Sequence, residues 1–285
     1  MSLGVLTNVA AINAENSLNQ TQNSLNTVLQ QLSSGSRINS GADDAAGLSI
    51  VDGLAANQAA LTQSAQNAQN GVGLLQTADG ALSQVTSLLD RAVTLATEAS
   101  NGGLTAAQST AADTEFQSIL AQIGSIGSTT NFNSTAVFNQ AAGTNFVLSD
   151  GTANGLTTIT SAATALTVVS GGASSVGGVT TLNSTADELT TTAGALKALT
   201  DITTAIAGIS AQRGAIGANI NQLNAASNVA STESVNLSAA QSSIQATNFG
   251  QATSDLAKFQ VLSQTGISAL AQANSTQQEI LKLLQ

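Results

Sequence analysis

Apolar residues in this chain fall into long, regular stripes. Near the N-terminus Ala11, Leu18, Leu25 and Leu32 recur every seven residues, with Ala14 and Val28 between them. That spacing predicts a helix with a narrow apolar seam, ending at Ser33-Ser34-Gly35. Leu54, Leu61, Ala68, Leu75, Leu82, Leu89 and Ala96 repeat the heptad over a much longer stretch. Ala65, Val72 and Val93 are read as the companion seam, interrupted by Asp79 and Thr86. A stripe of this length favours a partner helix over a short surface helix. On the return side Leu199, Ile202, Ile206, Ile209, Arg213, Ile216, Ile220 and Leu223 step by three and four, and Leu237 and Ile244 continue the register. A last stripe carries Phe249, Ala252, Leu256, Phe259, Ile267, Leu270, Ala273, Ile280 and Leu284.

Punctuation between the stripes sets the elements. Ser40-Gly41-Ala42-Asp43 reads as a capping box opening the second helix. Asn101-Gly102-Gly103 stops that helix, and Thr105-Ala106-Ala107-Gln108 caps a shorter one bearing Phe116, Ile119, Ile123 and Ile126. Residues 130–184 are rich in Gly, Ser and Thr. Their β-prone runs at 146–148 and 166–169, with turn pairs Asp150-Gly151 and Asn154-Gly155, predict strands or hairpins. Thr185-Ala186-Asp187-Glu188 is read as the cap that restores helix. The predicted fold is mainly α: long antiparallel helices and a coiled-coil bundle formed by the N- and C-terminal regions, with a small central β-hairpin region.

Composition narrows the function. Charged residues make up 8% of the 285, against about 25% in an ordinary soluble domain, yet Leu, Ile and Val are regular enough for a core. The six basic residues, Arg37, Arg91, Lys197, Arg213, Lys258 and Lys282, are scattered within a net charge of −10. Nucleic acid and anionic membrane surfaces both need clustered positive charge, so neither is a partner. Cys, His, Trp, Tyr and Pro are absent. Without Cys or His the usual thiol and imidazole chemistry and the commonest metal ligands are missing, and no cofactor motif is present. Residues 1–30 hold neither a basic n-region nor a dense apolar stretch, so no cleavable signal peptide is expected. No apolar run approaches the ~20 residues of a membrane-spanning helix.

The stretch Leu32-Ser33-Ser34-Gly35-Ser36-Arg37-Ile38-Asn39-Ser40-Gly41-Ala42-Asp43-Asp44-Ala45-Ala46-Gly47-Leu48 resembles the N-terminal signature of bacterial flagellins. Gln76–Leu82 and Asn131-Phe132-Asn133 resemble the next blocks. Arg213–Ala218, Leu270-Ala271-Gln272-Ala273-Asn274 and the ending at 280–284 resemble the return-side motifs, in family order. Two departures stand out: residues 242–249 lack the charges common in the family, and Asn221-Gln222 replaces Asn-Arg.

The resemblance implies a subunit that self-assembles through its terminal helices into a flagellar filament for swimming motility. It implies an inner core domain from 1–42 and 245–285, an outer core helical domain from 43–140 and 185–244, and a short variable region at 141–184. Export through the flagellar type III apparatus, an export chaperone, a filament cap and hook-junction proteins follow as family partners, with the filament extracellular. The signature residues are Arg37, Asn39, Asp43, Asp44 and Gly47. Arg91, Leu95 and Glu115 match positions by which the host Toll-like receptor recognises flagellins.

Leu18, Leu25, Leu32, Phe249, Leu256, Phe259, Leu270 and Leu284 are the expected polymerisation interface, because the uncharged terminal stripes offer too little apolar area within one molecule. Asp79 and Arg213 fall in seam registers, where a lone charge is costly. They are either a pair fixing helix register or two charges turned outward separately. Asp43-Asp44, Asp187-Glu188 and Asp150 lack further acidic or imidazole neighbours and read as helix N-terminal charge, not a metal site. The Gly-rich stretch 171–178 lacks a phosphate-binding ending. An enzyme would need Ser or Thr nucleophiles served by Lys197, Lys258 or Lys282, and no motif supports that. A hook–filament junction protein is the structural alternative. The central Ser and Thr residues are candidates for O-glycosylation.

Overall fold

The computed structural model describes residues 8–138, 144–149, 157–161, 173–176, 179–183 and 187–283. Its helices are α1 (Val9–Ser34), α2 (Ala45–Ser100), α3 (Ala106–Thr129), α4 (Thr192–Gln245) and α5 (Phe249–Leu283). Short strands lie between α3 and α4: β1 (Asn131–Phe132), β2 (Thr135–Ala136), β3 (Thr144–Leu148), β4 (Thr157–Ser161), β5 (Ala173–Val176) and β6 (Val179–Asn183). They form three antiparallel pairs, β1 with β2, β3 with β4 and β5 with β6. The β-prone run at 166–169 and the turn pairs at 150–151 and 154–155 lie outside the described residues, apart from their flanks. Two compact units result, Met1–Ala56 with Asn236–Gln285, and Asn57–Val235. The division falls inside α2 and α4.

In the first unit α1 and α5 run antiparallel. The Asn8 side chain accepts from the Ala11 N–H at 3.0 Å, capping α1, and donates to the Ala273 carbonyl at 3.0 Å. Leu18 packs over Gly266, and Phe249 reaches Gly35. Gly35 closes α1 in the left-handed region, φ +69°, where a residue without Cβ is favoured.

The second unit is a bundle of α2, α3 and α4. Arg213 meeting Asp79, and Leu223 packing at Gly71, show that α2 and α4 are antiparallel. Leu61, Ala68, Leu75, Leu82, Leu89 and Ala96 are all buried, as the heptad predicts. The companion seam is corrected by one residue. It is Ser64, Gly71, Ala78, Val85, Ala92 and Ala99 that turn fully inward, while Val72 and Val93 are only partly covered. Both +3 and +4 steps satisfy a 3.6-residue period. The small residues win because they let neighbouring elements approach: a Cβ at Gly71 would lie 2.9 Å from the Phe146 ring and 3.0 Å from Leu223. With the seam shifted, Asp79 and Thr86 no longer interrupt it.

A similar correction applies to α4. Its buried face is Ala195, Ala198, Ile202, Ala205, Ile209, Gln212, Ile216, Leu223 and Ala230, whereas Leu199, Ile206, Arg213 and Ile220 flank it. Phe116, Ile119, Leu120 and Ile123 fill the third side from α3. Fully burying each such large side chain is worth about 1.5–3 kcal/mol relative to exposing it, so this unit holds most of the apolar stabilisation.

Two expected caps move. Asp43 Oδ2 accepts from the backbone N–H of Asn39 at 3.0 Å and of Ser40 at 2.8 Å, closing a turn before the helix. The cap of α2 is Asp44, whose Oδ1 accepts from the Gly47 N–H at 2.8 Å. Helix α4 is capped by Thr191, which accepts from the Gly194 N–H at 3.1 Å. Asp187 is instead fully buried, and Lys197 Nζ donates to it at 2.6 Å. The capping box of α3 forms from Thr105 and Gln108. The hairpin of β1 and β2 turns on Asn133 and Ser134, both at positive φ (49° and 63°), a conformation typical of two-residue hairpin turns.

Candidate functional site

The terminal helices carry several exposed large apolar side chains. Along the heptad, Leu18, Leu25 and Leu32 of α1 and Leu256, Phe259 and Leu270 of α5 are half-buried where the two helices meet. These six were expected between copies; the structure spends much of their surface within a single molecule. The physical reason is that each narrow seam finds the other first, at intramolecular effective concentration. Phe249 is exposed, and Leu284 lies outside the described residues.

What remains outward is a second set that, Ile267 apart, the heptad reading passed over. Val9, Ile12 and Leu29 on α1, and Val261, Leu262 and Ile267 on α5, are between 42% and 62% exposed. The sequence reading puts Ile267 on one stripe with Phe249, Leu256 and Leu270; it is exposed, and Gly266 is the residue that lies under Leu18. Single exposed apolar residues are ordinary; here they recur along both helices of the pair. Charge is sparse beside them: the described stretch of α1 has only Glu15, and residues 249–278 of α5 have only Asp255 and Lys258.

A joint of paired backbone follows immediately. The Arg37 N–H donates to the Gln245 carbonyl at 2.7 Å, and the Thr247 N–H donates to the Gly35 carbonyl at 3.0 Å. Arg37 Nη2 reaches the Ile244 carbonyl at 2.9 Å, and Gln31 Nε2 donates to the Arg37 carbonyl at 3.1 Å. Asn39 Nδ2 donates to the Ser36 carbonyl at 2.9 Å. The motif residues Arg37, Asn39, Asp43, Asp44 and Gly47 therefore build a connection between helices. A Cβ at Gly47 would press on the Asp44 carboxylate and on Ile38, so a larger residue there would have to displace the cap. Since the joint is made with backbone carbonyls of 244 and 245, it needs none of the side-chain charges missing from 242–249. The backbone N–H groups of Asn39 and Ser40 hold the Asp43 carboxyl below its ordinary value.

In the bundle, Arg213 Nε donates to Asp79 Oδ1 at 2.7 Å and Nη2 to Oδ2 at 3.3 Å. The hydrogen bond to Asp79 raises the Arg213 pKa further. Both groups sit beside the corrected seams. Gln212, which sequence reasoning missed, is buried, and its amide N and O have no partner among the described residues. Its heptad spacing from Ala198 and Ala205 was the available signal.

Arg91 and Glu115 grip each other across α2 and α3, at 2.7 and 3.0 Å, on the surface. The hydrogen bond from Arg91 lowers the Glu115 carboxyl and raises the guanidinium. Leu95 does not join them at the surface: it is 3% exposed and belongs to the core. Among the described residues no three acidic side chains converge as a metal site would require, and no helix is long and apolar enough to cross a membrane.

Known proteins share both ends of this arrangement. Residues 5–143 match the bacterial flagellin N-terminal helical region, and residues 199–284 match the bacterial flagellin C-terminal helical region. The flagellin of Listeria innocua is 32% identical over 98% of this chain and 99% of its own length. The B-type flagellin of Pseudomonas aeruginosa is 40% identical over 50% of this chain and 30% of its own length. A crystal structure of Bacillus cereus flagellin is 29% identical, covers 57% of this chain and 88% of that one, and gives a TM-score of 0.47. On the strength of both terminal regions and a relative aligned from end to end, the chain belongs to the bacterial flagellin family.

Proposed function

We propose that this flagellin enters the filament through the outward face of its paired terminal helices, chiefly Val9, Ile12, Leu29, Val261, Leu262 and Ile267, with Phe249 beside them. The observation that carries this reading is that α1 and α5 consume their heptad seams on each other and still leave apolar side chains in water along both helices. Copies packed side by side would cover these side chains. Leu18, Leu25, Leu32, Leu256, Phe259 and Leu270 then contribute by holding the pair together. The unit Met1–Ala56 with Asn236–Gln285 corresponds to an inner core and Asn57–Val235 to an outer core with its hairpins. The role is structural and the subunit carries out no catalysis. Its place is the extracellular filament, with an export chaperone, a cap and hook-junction proteins as partners.

Receptor recognition is a second reading, favoured only by the exposed Arg91–Glu115 pair on adjoining helices; Leu95 would act from beneath the surface. Deleting α1 and α5 tests the main reading. The trimmed protein is expected to keep the helicity of α2, α3 and α4 and to stay monomeric, whereas the full-length protein forms filaments. Filaments of normal length from the trimmed protein would refute it.

A further inference from the structure

Three Asn-Gly pairs occur in the sequence, at 70–71, 101–102 and 154–155. An asparagine before glycine can lose its side-chain amide without an enzyme, provided the following backbone nitrogen can reach Cγ. The third pair lies outside the described residues. The first two sit in opposite environments within one unit.

Asn70 and Gly71 are in the middle of α2, where the Gly71 N–H is committed to the helical ladder. Gly71 is buried, with the Phe146 ring and Leu223 against the space its Cβ would fill. The backbone there cannot rotate without opening the bundle. Asn101 and Gly102 lie just past the end of α2, and both are exposed. Asn101 donates its own N–H to the Glu98 carbonyl at 3.3 Å, but the Gly102 N–H has no partner among the described residues. Gly102 takes φ +63°, and nothing lies within 4 Å of a Cβ built on it or on Gly103.

We infer that Asn101 is a site of spontaneous deamidation in the folded protein, and that the fold protects Asn70. The Gly102 nitrogen, having given its proton to solvent base, attacks Asn101 Cγ. A bond forms between that nitrogen and Cγ, the bond from Cγ to Nδ2 breaks, and Nδ2 leaves as ammonia after taking a proton from solvent. Water then opens the cyclic imide at either carbonyl, giving aspartate or isoaspartate at 101, with no change of oxidation state. Either product puts a new negative charge at the C-terminal end of α2, where the helix dipole already disfavours one and Glu98 is a turn away. Isoaspartate also lengthens the backbone of the turn between α2 and α3.

The test incubates the full-length protein in mildly alkaline buffer, folded or in denaturant, and cleaves it after glutamate. Fragment 99–115, bounded by Glu98 and Glu115, isolates Asn101, and fragment sequencing locates Asn70. In the folded protein 99–115 is expected to gain about one dalton and split into two chromatographic forms. Asn70 should convert at least roughly tenfold more slowly, and the difference should fall below about twofold in denaturant. Asn101→Gln, which cannot form the five-membered ring, should abolish the change in that fragment. Conversion of Asn70 at the pace of Asn101 in the folded protein would overturn the inference. So would an unchanged 99–115 in folded protein whose denatured control converts.

Discussion

Arg213 holds Asp79 with two nitrogens, bridging α4 to α2 at 2.7 and 3.3 Å, and it does so beside the bundle core. Each side chain is somewhat over a third exposed. A half-solvated ion pair of this kind is screened by water and salt. A double-mutant cycle with Asp79→Ala and Arg213→Ala should give a coupling of about 0.5–1 kcal/mol, shrinking in high salt. A coupling unaffected by salt would show the pair to be more deeply buried than the structure has it.

Gln212 is the sharper case. A buried amide without a partner costs about 1–3 kcal/mol, and its neighbours along the seam are apolar. Gln212→Leu should raise the unfolding free energy of the monomer by about 1–2 kcal/mol, read from denaturant midpoints. A fall in stability would mean that the amide has a partner, such as an internal water.

Lys197 ties fully buried Asp187 to Asp201 on the surface of α4, each at 2.6 Å. Removing the ammonium leaves a buried carboxylate with one partner fewer, so Lys197→Met should cost about 2–3 kcal/mol. The hydrogen bond to Asp187 raises the lysine pKa. Because the folded value is the higher one, the stabilisation is full below the ordinary lysine value and is lost as pH rises through the raised value. Alkaline unfolding of the wild type and of Lys197→Met should therefore converge at high pH.

Asp43 reports acid sensitivity at the joint. Its folded pKa is lowered by the backbone N–H groups of Asn39 and Ser40. Its contribution is present above the ordinary carboxylate value and disappears as pH falls through the lowered one. Amide exchange at Asn39 and Ser40 should accelerate over that acid range in the wild type. In Asp43→Ala, which has no acceptor, it should be fast at all pH values, as judged against neighbouring amides.

Much of this architecture is legible in the residues themselves. The seven-residue recurrence from Leu61 to Ala96 gives the buried face of α2, and Thr105 with Gln108 gives a true capping box. The companion seam is not, because steps of three and four both fit a helical period, and hydrophobicity favoured Val72 where space favoured Gly71. Asp44 takes the cap from Ser40 because Asp43 is already engaged in the turn before it. The role of Leu18 and Leu256 could not be assigned from spacing: a heptad shows that a seam has a partner and leaves open which molecule supplies it. The outward residues Ile12 and Val261 carried no period of their own and emerge only once α1 and α5 are paired.

The measurement that bears most directly on assembly replaces this outward face while leaving the pair intact. Ile12→Gln, Leu29→Gln, Val261→Gln and Ile267→Gln, combined in the full-length protein, substitute exposed positions with a good helix former. Far-UV circular dichroism and unfolding of the monomer should stay close to wild type. The critical concentration for filament formation should rise at least about tenfold, the effect of roughly 1.4 kcal/mol per subunit. Filaments growing at the wild-type critical concentration from that variant would contradict assembly through this face.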